Sequence, residues 1–392
     1  MISEYRKKFN SAFSQEKYEQ FIKDLNTSLR YPTDFRVSET PVFLTKELTD
    51  ELINACDEII QQLNKPQFRE HSSNAVPSAL IVPNEDDHPA FLQIDFAICN
   101  DENGKFIPKV IELQGFPSLY GYQSLFYERI KKYFHIPEGF VSYFSGLNSE
   151  KYRDLLKEVI LGQSDPENVV LMEIDPEKQK TRIDFAATEK LTGIRTVSVS
   201  DIYSRQKRLF YKYEGKEIRI ERIYNRVIFD ELLRRKLTLN FDITEPLEVQ
   251  WAGHPNWFFR ISKHTLPYLK GKYVPDCYFL SDLNNYPDNL SEYVLKPLYS
   301  FAGHGVEIDL SREELDSVRD KNNYILQRKV EYAPLIETPE GYARVEIRMM
   351  FIWKDKPILV NNLVRMSKGK MMGVDYNKNK TWVGSSIAFH PE

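Results

Sequence analysis

Two stretches, Phe91-Leu-Gln-Ile-Asp-Phe-Ala-Ile98 and Lys109-Val-Ile-Glu-Leu-Gln114, decide how the chain of 392 residues is organised. Both are rich in Ile, Leu, Val and Phe, which is typical of buried β-strands. Asp101-Glu-Asn-Gly104 lies between them and has the composition of a turn. The two stretches are therefore predicted to pair as an antiparallel hairpin.

The polar residues of this hairpin form the first candidate site. Residues two apart on a strand face the same side, so Glu112 and Gln114 share a face, and Asp95 on the neighbouring strand can converge with them. Two carboxylates and an amide oxygen are hard donors of the kind that Mg²⁺ accepts. The alternative is that they line the wet face of a half-exposed hairpin. The apolar neighbours of Asp95 and Glu112 weigh against it, because a buried acid needs a cation or hydrogen bonds.

A third stretch, Tyr293-Val-Leu-Lys-Pro-Leu-Tyr-Ser-Phe-Ala-Gly-His-Gly-Val-Glu-Ile308, combines a strand ending at Lys296 with a loop of small residues and a second strand. The small residues are Ser300, Ala302, Gly303 and Gly305. Such a loop lets backbone N–H groups approach phosphate oxygens, and a nearby lysine balances their charge. No Gly-Lys-Ser/Thr opens a helix, so it is not a Walker loop. The alternative is an ordinary hairpin turn with an exposed lysine.

Two arginines, Arg348 and Arg365, lie on predicted late strands. Arginine is suited to bidentate contact with phosphate or carboxylate. For Arg348 the alternative, pairing with a structural acid such as Glu346, is at least as well supported. Lys263 is a weaker candidate when taken alone.

The remaining patterns predict an α+β protein with an α/β insert. Residues 16–29 and 45–63 carry apolar residues at three-to-four spacing, which predicts helices. Residues 79–82 are predicted as a strand. Residues 168–226 begin as strand, helix and strand with short connections, which predicts a parallel βαβ unit, and then form a further hairpin. The last third of the chain is rich in hairpins.

Composition excludes several classes of function. Lys and Arg (53) nearly balance Asp and Glu (57), so nothing favours a nucleic-acid partner. No stretch approaches the roughly 18–20 apolar residues of a membrane helix, and the charged start is no signal peptide, so a cytoplasmic protein without a membrane partner is expected. The histidines show no zinc spacing, and neither a Gly-x-Ser-x-Gly elbow nor a GxGxxG fingerprint occurs.

Taken together, these stretches resemble an ATP-grasp ligase, specifically the circularly permuted branch that includes glutathionylspermidine synthase. In that branch the metal-binding acids come first, a Rossmann-like pre-ATP-grasp unit follows, and the lysine and glycine-rich loop come last. The corresponding segments here are Asp95-Phe-Ala97, Glu112-Leu-Gln114, Ile223-Tyr-Asn-Arg226, Lys296-Pro297 and Gly303-His-Gly-Val306. The resemblance covers residues 90–370 and implies a circularly permuted ATP-grasp fold of class α+β with an inserted Rossmann-like unit.

The resemblance also implies four parts of the chain. They are an N-terminal helical segment (1–70), a metal-binding part of the ATP-grasp core (71–165), a Rossmann-like pre-ATP-grasp unit (166–255) and nucleotide-binding subdomains with the glycine-rich loop (256–392). ATP and Mg²⁺ are the implied cofactors.

Roles carry over residue by residue. The residues that resemble metal ligands are Asp95, Glu112 and Gln114. Those that resemble nucleotide-binding residues are Lys263, Lys296, Ser300, Ala302, Gly303, Gly305 and Val306, together with Gln327, Lys329, Val330 and Glu331 of the hinge strand that holds adenine and ribose. Lys296 and Arg365 are the implied catalytic residues. Lys296 resembles the lysine that contacts the nucleotide phosphates, and Arg365 resembles the arginine near the transferred phosphate.

Three positions depart from the family pattern. Gln114 stands where the family usually has Asn, which moves the amide oxygen one methylene further out. Gln93 stands where glutathionylspermidine synthases carry an arginine near the reacting acyl phosphate. Gly115-Phe-Pro-Ser118 replaces the usual Asp-Thr-Pro-Thr. The positive charge that this arginine provides in the family is therefore absent at Gln93.

The implied reaction joins a small-molecule or peptide carboxylate to an amine. The carboxylate attacks the γ-phosphate of ATP to give an acyl phosphate, and the amine then displaces phosphate. Three alternatives stay open: an ATP-binding protein of the same fold without ligase activity, a phosphotransferase that acts on a hydroxyl, and a non-enzymatic adaptor.

Overall fold

The computed structural model describes residues 1–299, 305–369, 372, 377 and 379–392. Its α-helices are α1 (Ser3–Ala12), α2 (Gln15–Thr27), α3 (Lys46–Leu63), α4 (Pro66–Ser73), α5 (Tyr120–Tyr133), α6 (Ser149–Leu161), α7 (Arg182–Thr192), α8 (Phe229–Arg235), α9 (Asn256–Arg260) and α10 (Arg312–Ser317). Within these described ranges, no helix has the length and hydrophobicity needed to cross a bilayer.

The strands arrange into several sheets, so the chain is of class α+β. They are β1 (Val42–Phe43), β2 (Phe91–Asn100), β3 (Phe106–Gln114), β4 (Phe140–Val141), β5 (Val169–Glu173), β6 (Arg195–Ser198), β7 (Tyr203–Arg205), β8 (Arg208–Tyr213), β9 (Lys216–Ile220), β10 (Arg222–Asn225), β11 (Gln250–Ala252), β12 (Cys277–Phe279), β13 (Tyr293–Pro297), β14 (Tyr324–Arg328), β15 (Ile336–Thr338), β16 (Gly341–Trp353), β17 (Pro357–Ser367), β18 (Gly384–Ser386) and β19 (Ala388–Pro391).

The central sheet has the strand order β18-β17-β16-β2-β3, and its neighbouring strands are antiparallel. It contains the predicted hairpin: β2 pairs with β3, Asp95 lies opposite Glu112, and Gln93 lies opposite Gln114. On its other side, β2 pairs with β16, so that Arg348 lies opposite Asp95. The hairpin is therefore confirmed, and it lies inside a larger sheet.

Alternation along these strands separates an apolar face from a polar face. The apolar face, which includes Ile94, Leu113 and Ile347, lies in one core cluster with the buried side chains of α3. Fully burying one such side chain contributes about 1.5–3 kcal/mol. The polar face carries Gln93, Asp95, Glu112, Gln114, Glu346, Arg348 and Arg365. A slip of one residue would exchange the two faces, so the apolar face fixes the register that brings the charges together.

A second sheet is parallel, with the order β11-β10-β5-β6. The predicted strand–helix–strand unit is confirmed as β5, α7 and β6. Helix α7 ends at Gly193, whose φ of +80° a residue without Cβ adopts freely. After β6 the chain returns to the opposite side of β5 to form β10, so the strand order reverses between β5 and β10. Strands β7, β8 and β9 form a separate antiparallel sheet.

Three predictions about strands are wrong. Residues 79–82 form no strand, because the backbone N–H and C=O of Val82 bond to the side chain of Asn256 instead of to a neighbouring strand. The hairpin predicted within residues 168–226 has residues 218–224 as its second strand, but these residues form parts of two strands that break at Glu221, and the first of them pairs with β8. Residues 305–308 form no strand, and a single-residue bridge between Leu295 and Glu307 bonds them to β13.

Asp184 joins the parallel unit to the start of α5. Its buried carboxylate accepts hydrogen bonds from the backbone N–H groups of Leu119, at 3.2 Å, and Tyr122, at 2.9 Å. The same carboxylate forms an ion pair with the buried guanidinium of Arg226. Removing one partner of such a pair leaves a charge buried without compensation.

We expect Asp184→Asn to lower the free energy of unfolding by about 3–5 kcal/mol, because Arg226 then stays buried without its counter-charge. Urea unfolding followed by circular dichroism measures the loss. The matched control is Asp175→Asn, which breaks a partly exposed pair with Arg235 and should change the free energy by less than about 1 kcal/mol. Equal losses in the two variants would contradict the prediction.

Candidate functional site

Asp95 lies at the centre of the polar face, and two arginines bind its carboxylate. Arg348 donates from Nε to Oδ1 at 2.6 Å and from Nη2 to Oδ2 at 2.7 Å, and Arg365 donates to Oδ2 as well. The Asp95 side chain is only 1% exposed. Burial acts to raise the pKa of Asp95, but the charges of Arg348 and Arg365 outweigh it and hold this pKa below its ordinary value. Asp95 is thus an ionised acid inside the protein.

Glu346 is a second buried acid on the same face. It accepts hydrogen bonds from Arg365 and from the hydroxyl of Tyr332, the latter at 3.0 Å. Burial raises the pKa of Glu346; Arg365 opposes this shift, and the charges of Asp95 and Glu112 add to it. Arg365 therefore bridges two acids, and its side chain remains 35% exposed at the rim of the site.

Two lysines reach this face from outside the central sheet. Lys263, just after α9, has its Nζ 3.8 Å from Oε2 of Glu112. Lys296, on β13, donates to Oε1 of Gln327 at 2.5 Å and to the carbonyl of Ile111 at 3.4 Å. Burial lowers the pKa of both lysines, and the charge of Glu112 opposes the shift in each case. Lys263 and Lys296 thus both lie near Glu112, and their roles toward a nucleotide stay a prediction.

Glu112 is the most accessible acid of the cluster, with a side chain that is 20% exposed. Its Oε1 accepts from Nε2 of Gln114 at 2.8 Å and lies 3.9 Å from Nη2 of Arg348. Glu112, Gln114 and Lys263 line a cleft together with Phe116 and Tyr299. This cleft is the candidate binding site.

The predicted metal ligands divide into two groups. Glu112 and Gln114 face the cleft and offer oxygen donors to a cation. Asp95 does not fit this role, because both of its oxygens already accept hydrogen bonds from guanidinium groups. In the part of the chain that the structure describes, no group of three or more His, Cys, Asp or Glu residues is arranged to hold a metal. Metal binding by Glu112 and Gln114 stays a prediction.

The predicted phosphate loop is described only at its end. Ser300, Ala302 and Gly303 lie outside the described residues. Gly305 has a φ of +72°, and a Cβ there would lie 3.1 Å from Cγ of Pro297. Val306 is half-buried, and the bridge between Glu307 and Leu295 returns the chain to β13. Both ends of the loop are thus attached to the strand that carries Lys296.

The four predicted hinge residues differ in their contacts. Gln327, on β14, accepts a hydrogen bond from Lys296 of β13. Lys329 donates from Nζ to the carbonyl of Ile308 at 2.6 Å, so it fixes the segment that follows the loop. Val330 is half-buried and Glu331 is exposed. Of these four residues, Gln327 is the one that contacts the charged cluster.

Two residues that hydrogen-bond to the charged cluster were not among the predicted site residues. Gln93 accepts a hydrogen bond from Nη1 of Arg348 at 3.1 Å and donates to the carbonyl of Ser118 at 2.7 Å. Tyr332, which lies outside the strands of the central sheet, donates a hydrogen bond from its hydroxyl to Glu346. The two-residue spacing of Glu346 and Arg348 on one strand predicts a shared face, but the acid that pairs with Arg348 is Asp95 on the neighbouring strand. Glu346 pairs with Arg365 instead.

Comparison with known proteins identifies the fold. The sequence matches no family model, and no curated protein is significantly similar to it. The structure is similar to that of a glutathione synthetase-like effector from Globodera pallida in its apo form, with a TM-score of 0.56 over 96% of each chain. The two sequences are 10% identical, so the likeness shows the fold alone. The chain therefore has a glutathione synthetase-like fold.

His264, next to Lys263, contacts the rings of Tyr268 and Phe279. Burial, aided by the nearby His71, lowers the pKa of His264 to about 4. The unfolded chain takes up this proton at a pKa of about 6.5. The folded state thus binds fewer protons between these two values, and stability is lost as the pH falls through this window.

The free energy of unfolding of the wild type should fall between pH 7 and pH 4.5. We expect this fall to be about 2 kcal/mol smaller in His264→Gln, because the variant has no imidazole to protonate. Urea unfolding of the wild type and the variant at both pH values measures the difference. His135→Gln, at an exposed position, is the control and should keep the wild-type dependence. The same pH dependence in wild type and His264→Gln would refute the role of His264.

Proposed function

We propose that the chain is an ATP-dependent carboxylate–amine ligase of the ATP-grasp type. The observation that carries this proposal is the meeting of Lys263 with Glu112 at the cleft, with the buried Lys296 close behind Glu112. These residues come from distant parts of the sequence and include the predicted nucleotide-side lysines and a predicted metal ligand. Arg365, the predicted catalytic arginine, lies at the rim of the same charged face.

The charge balance of the cluster supports a polyanionic ligand. Among the described residues, the cations are Lys263, Lys296, Arg348 and Arg365, and the acids are Asp95, Glu112 and Glu346. The cluster therefore has one positive charge in excess, before any ligand binds. Charges interact more strongly in a partly buried site than in water, so this excess favours a group such as a triphosphate.

The proposed reaction has two steps. An oxygen of the substrate carboxylate attacks the γ-phosphorus of ATP, the bond to the bridging oxygen breaks, and ADP leaves. The amine nitrogen then attacks the acyl carbon, phosphate leaves with the C–O bonding electrons, and the amine loses a proton. Such steps depend mainly on positioning and charge neutralisation. Lys296 and Lys263 would neutralise the phosphates of ATP, and Arg365 the phosphoryl group in transit.

Mg²⁺ belongs to this proposal as a companion of ATP. Glu112 and Gln114 would hold it, and when bound it would neutralise phosphate charge. The backbone N–H groups of Gly305 and Val306, the described end of the predicted phosphate loop, would approach the phosphates. The hinge residues after Gln327 would hold the adenosine moiety.

The order of the structural parts supports the circularly permuted arrangement. The β2–β3 hairpin precedes the parallel unit, and β13 with its lysine follows. The predicted boundaries 1–70, 71–165, 166–255 and 256–392, including the Rossmann-like pre-ATP-grasp unit, are part of this proposal. Nη1 of Arg348, on the neighbouring strand, lies 3.1 Å from Oε1 of Gln93, so Arg348 would supply the charge that is missing at Gln93.

We expect Lys296→Met to lower ATP turnover by about 10²–10³-fold, because the transferred phosphate loses one preorganised cation. Phosphate release, measured with a panel of acids and amines, gives the turnover, and circular dichroism checks the fold. Lys354→Met removes a surface lysine paired with Glu158 and should leave turnover unchanged. Wild-type turnover in Lys296→Met would remove the basis of the ligase proposal.

The second candidate is an ATP-binding protein of the same fold without ligase activity. It is favoured by the engagement of Asp95 with two arginines. The similar structure is described as an effector, which also leaves room for a role without ligation.

Calorimetric titration with ATP and Mg²⁺, together with phosphate release, separates the two candidates. The ligase proposal expects ATP binding and phosphate release that requires both an acid and an amine. Binding without release over the whole panel supports the second candidate. A stable phosphorylated product without an amide would identify a phosphotransferase instead, and the absence of nucleotide binding would contradict both candidates.

A further inference from the structure

The guanidinium of Arg348 lies between the two acids that were predicted to share a metal ion. It contacts Asp95 through two hydrogen bonds of 2.6 and 2.7 Å, and its Nη2 lies 3.9 Å from Oε1 of Glu112. A metal ion that bridged Asp95 and Glu112 would have to enter this same space. The position of a bridging cation is therefore already taken by a side chain of the chain itself.

Contacts on several sides hold Arg348 in this position. Its Nη1 donates to Gln93, which is itself fixed by a hydrogen bond to the carbonyl of Ser118. The Arg348 side chain is only 7% exposed. Planar two-point contact with a carboxylate is also the geometry that arginine forms most strongly. Arg348 is thus a fixed part of the interior.

Electrostatics oppose a metal ion at Asp95. Arg365 also binds Oδ2 of Asp95, so a divalent cation at this carboxylate would lie next to two guanidinium groups. It would have to displace hydrogen bonds from both oxygens of Asp95 and would meet repulsion from both arginines. Glu112 is different, because it is partly exposed to the cleft.

We propose that Arg348 is a built-in cation that replaces a metal ion at Asp95. The charge of Asp95 is then neutralised from within the protein, and a divalent ion enters only at Glu112, together with an anionic ligand. The inference rests on the proposed function for the identity of that ligand, a nucleotide polyphosphate. Arg348 acts as a positioning and charge-neutralising residue, because its contacts are to Asp95, Glu112 and Gln93.

Titration of the protein with Mn²⁺ alone, followed by the electron paramagnetic resonance signal of the free ion, tests this inference without nucleotide. We expect Arg348→Met to create a Mn²⁺ site with a Kd of about 0.1–1 mM, as in weak carboxylate sites. The wild type should bind at least about tenfold more weakly. Arg348→Lys keeps the positive charge, so its affinity for Mn²⁺ should stay close to that of the wild type. A merely structural role of Arg348 would not require this result.

The double variant Asp95→Asn with Arg348→Met is the matched control, and it should lose the new Mn²⁺ site. Circular dichroism establishes that each variant is folded, and Arg348→Gln replaces Arg348→Met if the latter does not fold. The inference is overturned if the wild type binds Mn²⁺ as tightly as the folded variant, or if the folded variant gains no site. An ATP titration of the wild type tests the proposed function separately, so the two failures are distinguishable.

Discussion

The structure depends on the contact between the Asp95 carboxylate and the Arg348 guanidinium. A carboxylate with 1% exposure is stable only when cations and hydrogen bonds replace its water, and Arg348 and Arg365 supply both. The pair joins β2 to β16, and the apolar residues on the reverse face hold the same register. Packing on one side of the sheet and charge pairing on the other therefore specify a single alignment of strands.

The sequence revealed the parts that depend on local periodicity and left open those that depend on which strands become neighbours. Apolar spacing predicted α3, the β2–β3 hairpin and the unit of β5, α7 and β6, because each is decided within a short segment. The Arg348–Asp95 pair joins residues 253 positions apart, and no local pattern encodes that choice. The same limit explains the false strand at residues 79–82, where a distant asparagine, Asn256, takes the backbone bonds that a strand would use.

A likeness at 10% identity shows how little of a fold's sequence determines its shape. Many combinations of apolar residues can pack the same core, whereas few combinations of charged residues form the same cluster around one cleft. A shared fold therefore carries less information about chemistry than the side chains of one face of one sheet. In this chain that face brings together charged and amide side chains from four adjacent strands, among them Gln93, Asp95, Glu112, Gln114, Glu346, Arg348 and Arg365.

The location of Arg348 and Asp95 on separate strands also has an evolutionary consequence. Replacing Asp95 alone leaves Arg348 buried without its carboxylate, and replacing Arg348 alone leaves Asp95 with Arg365 as its remaining guanidinium partner. Replacing both with apolar residues of similar volume is often close to neutral. The Asp95–Arg348 pair can therefore be lost in evolution only through paired substitutions or through an intermediate of low stability. The two positions should therefore be inherited as a unit, and descendants that lose one are expected to have lost the other.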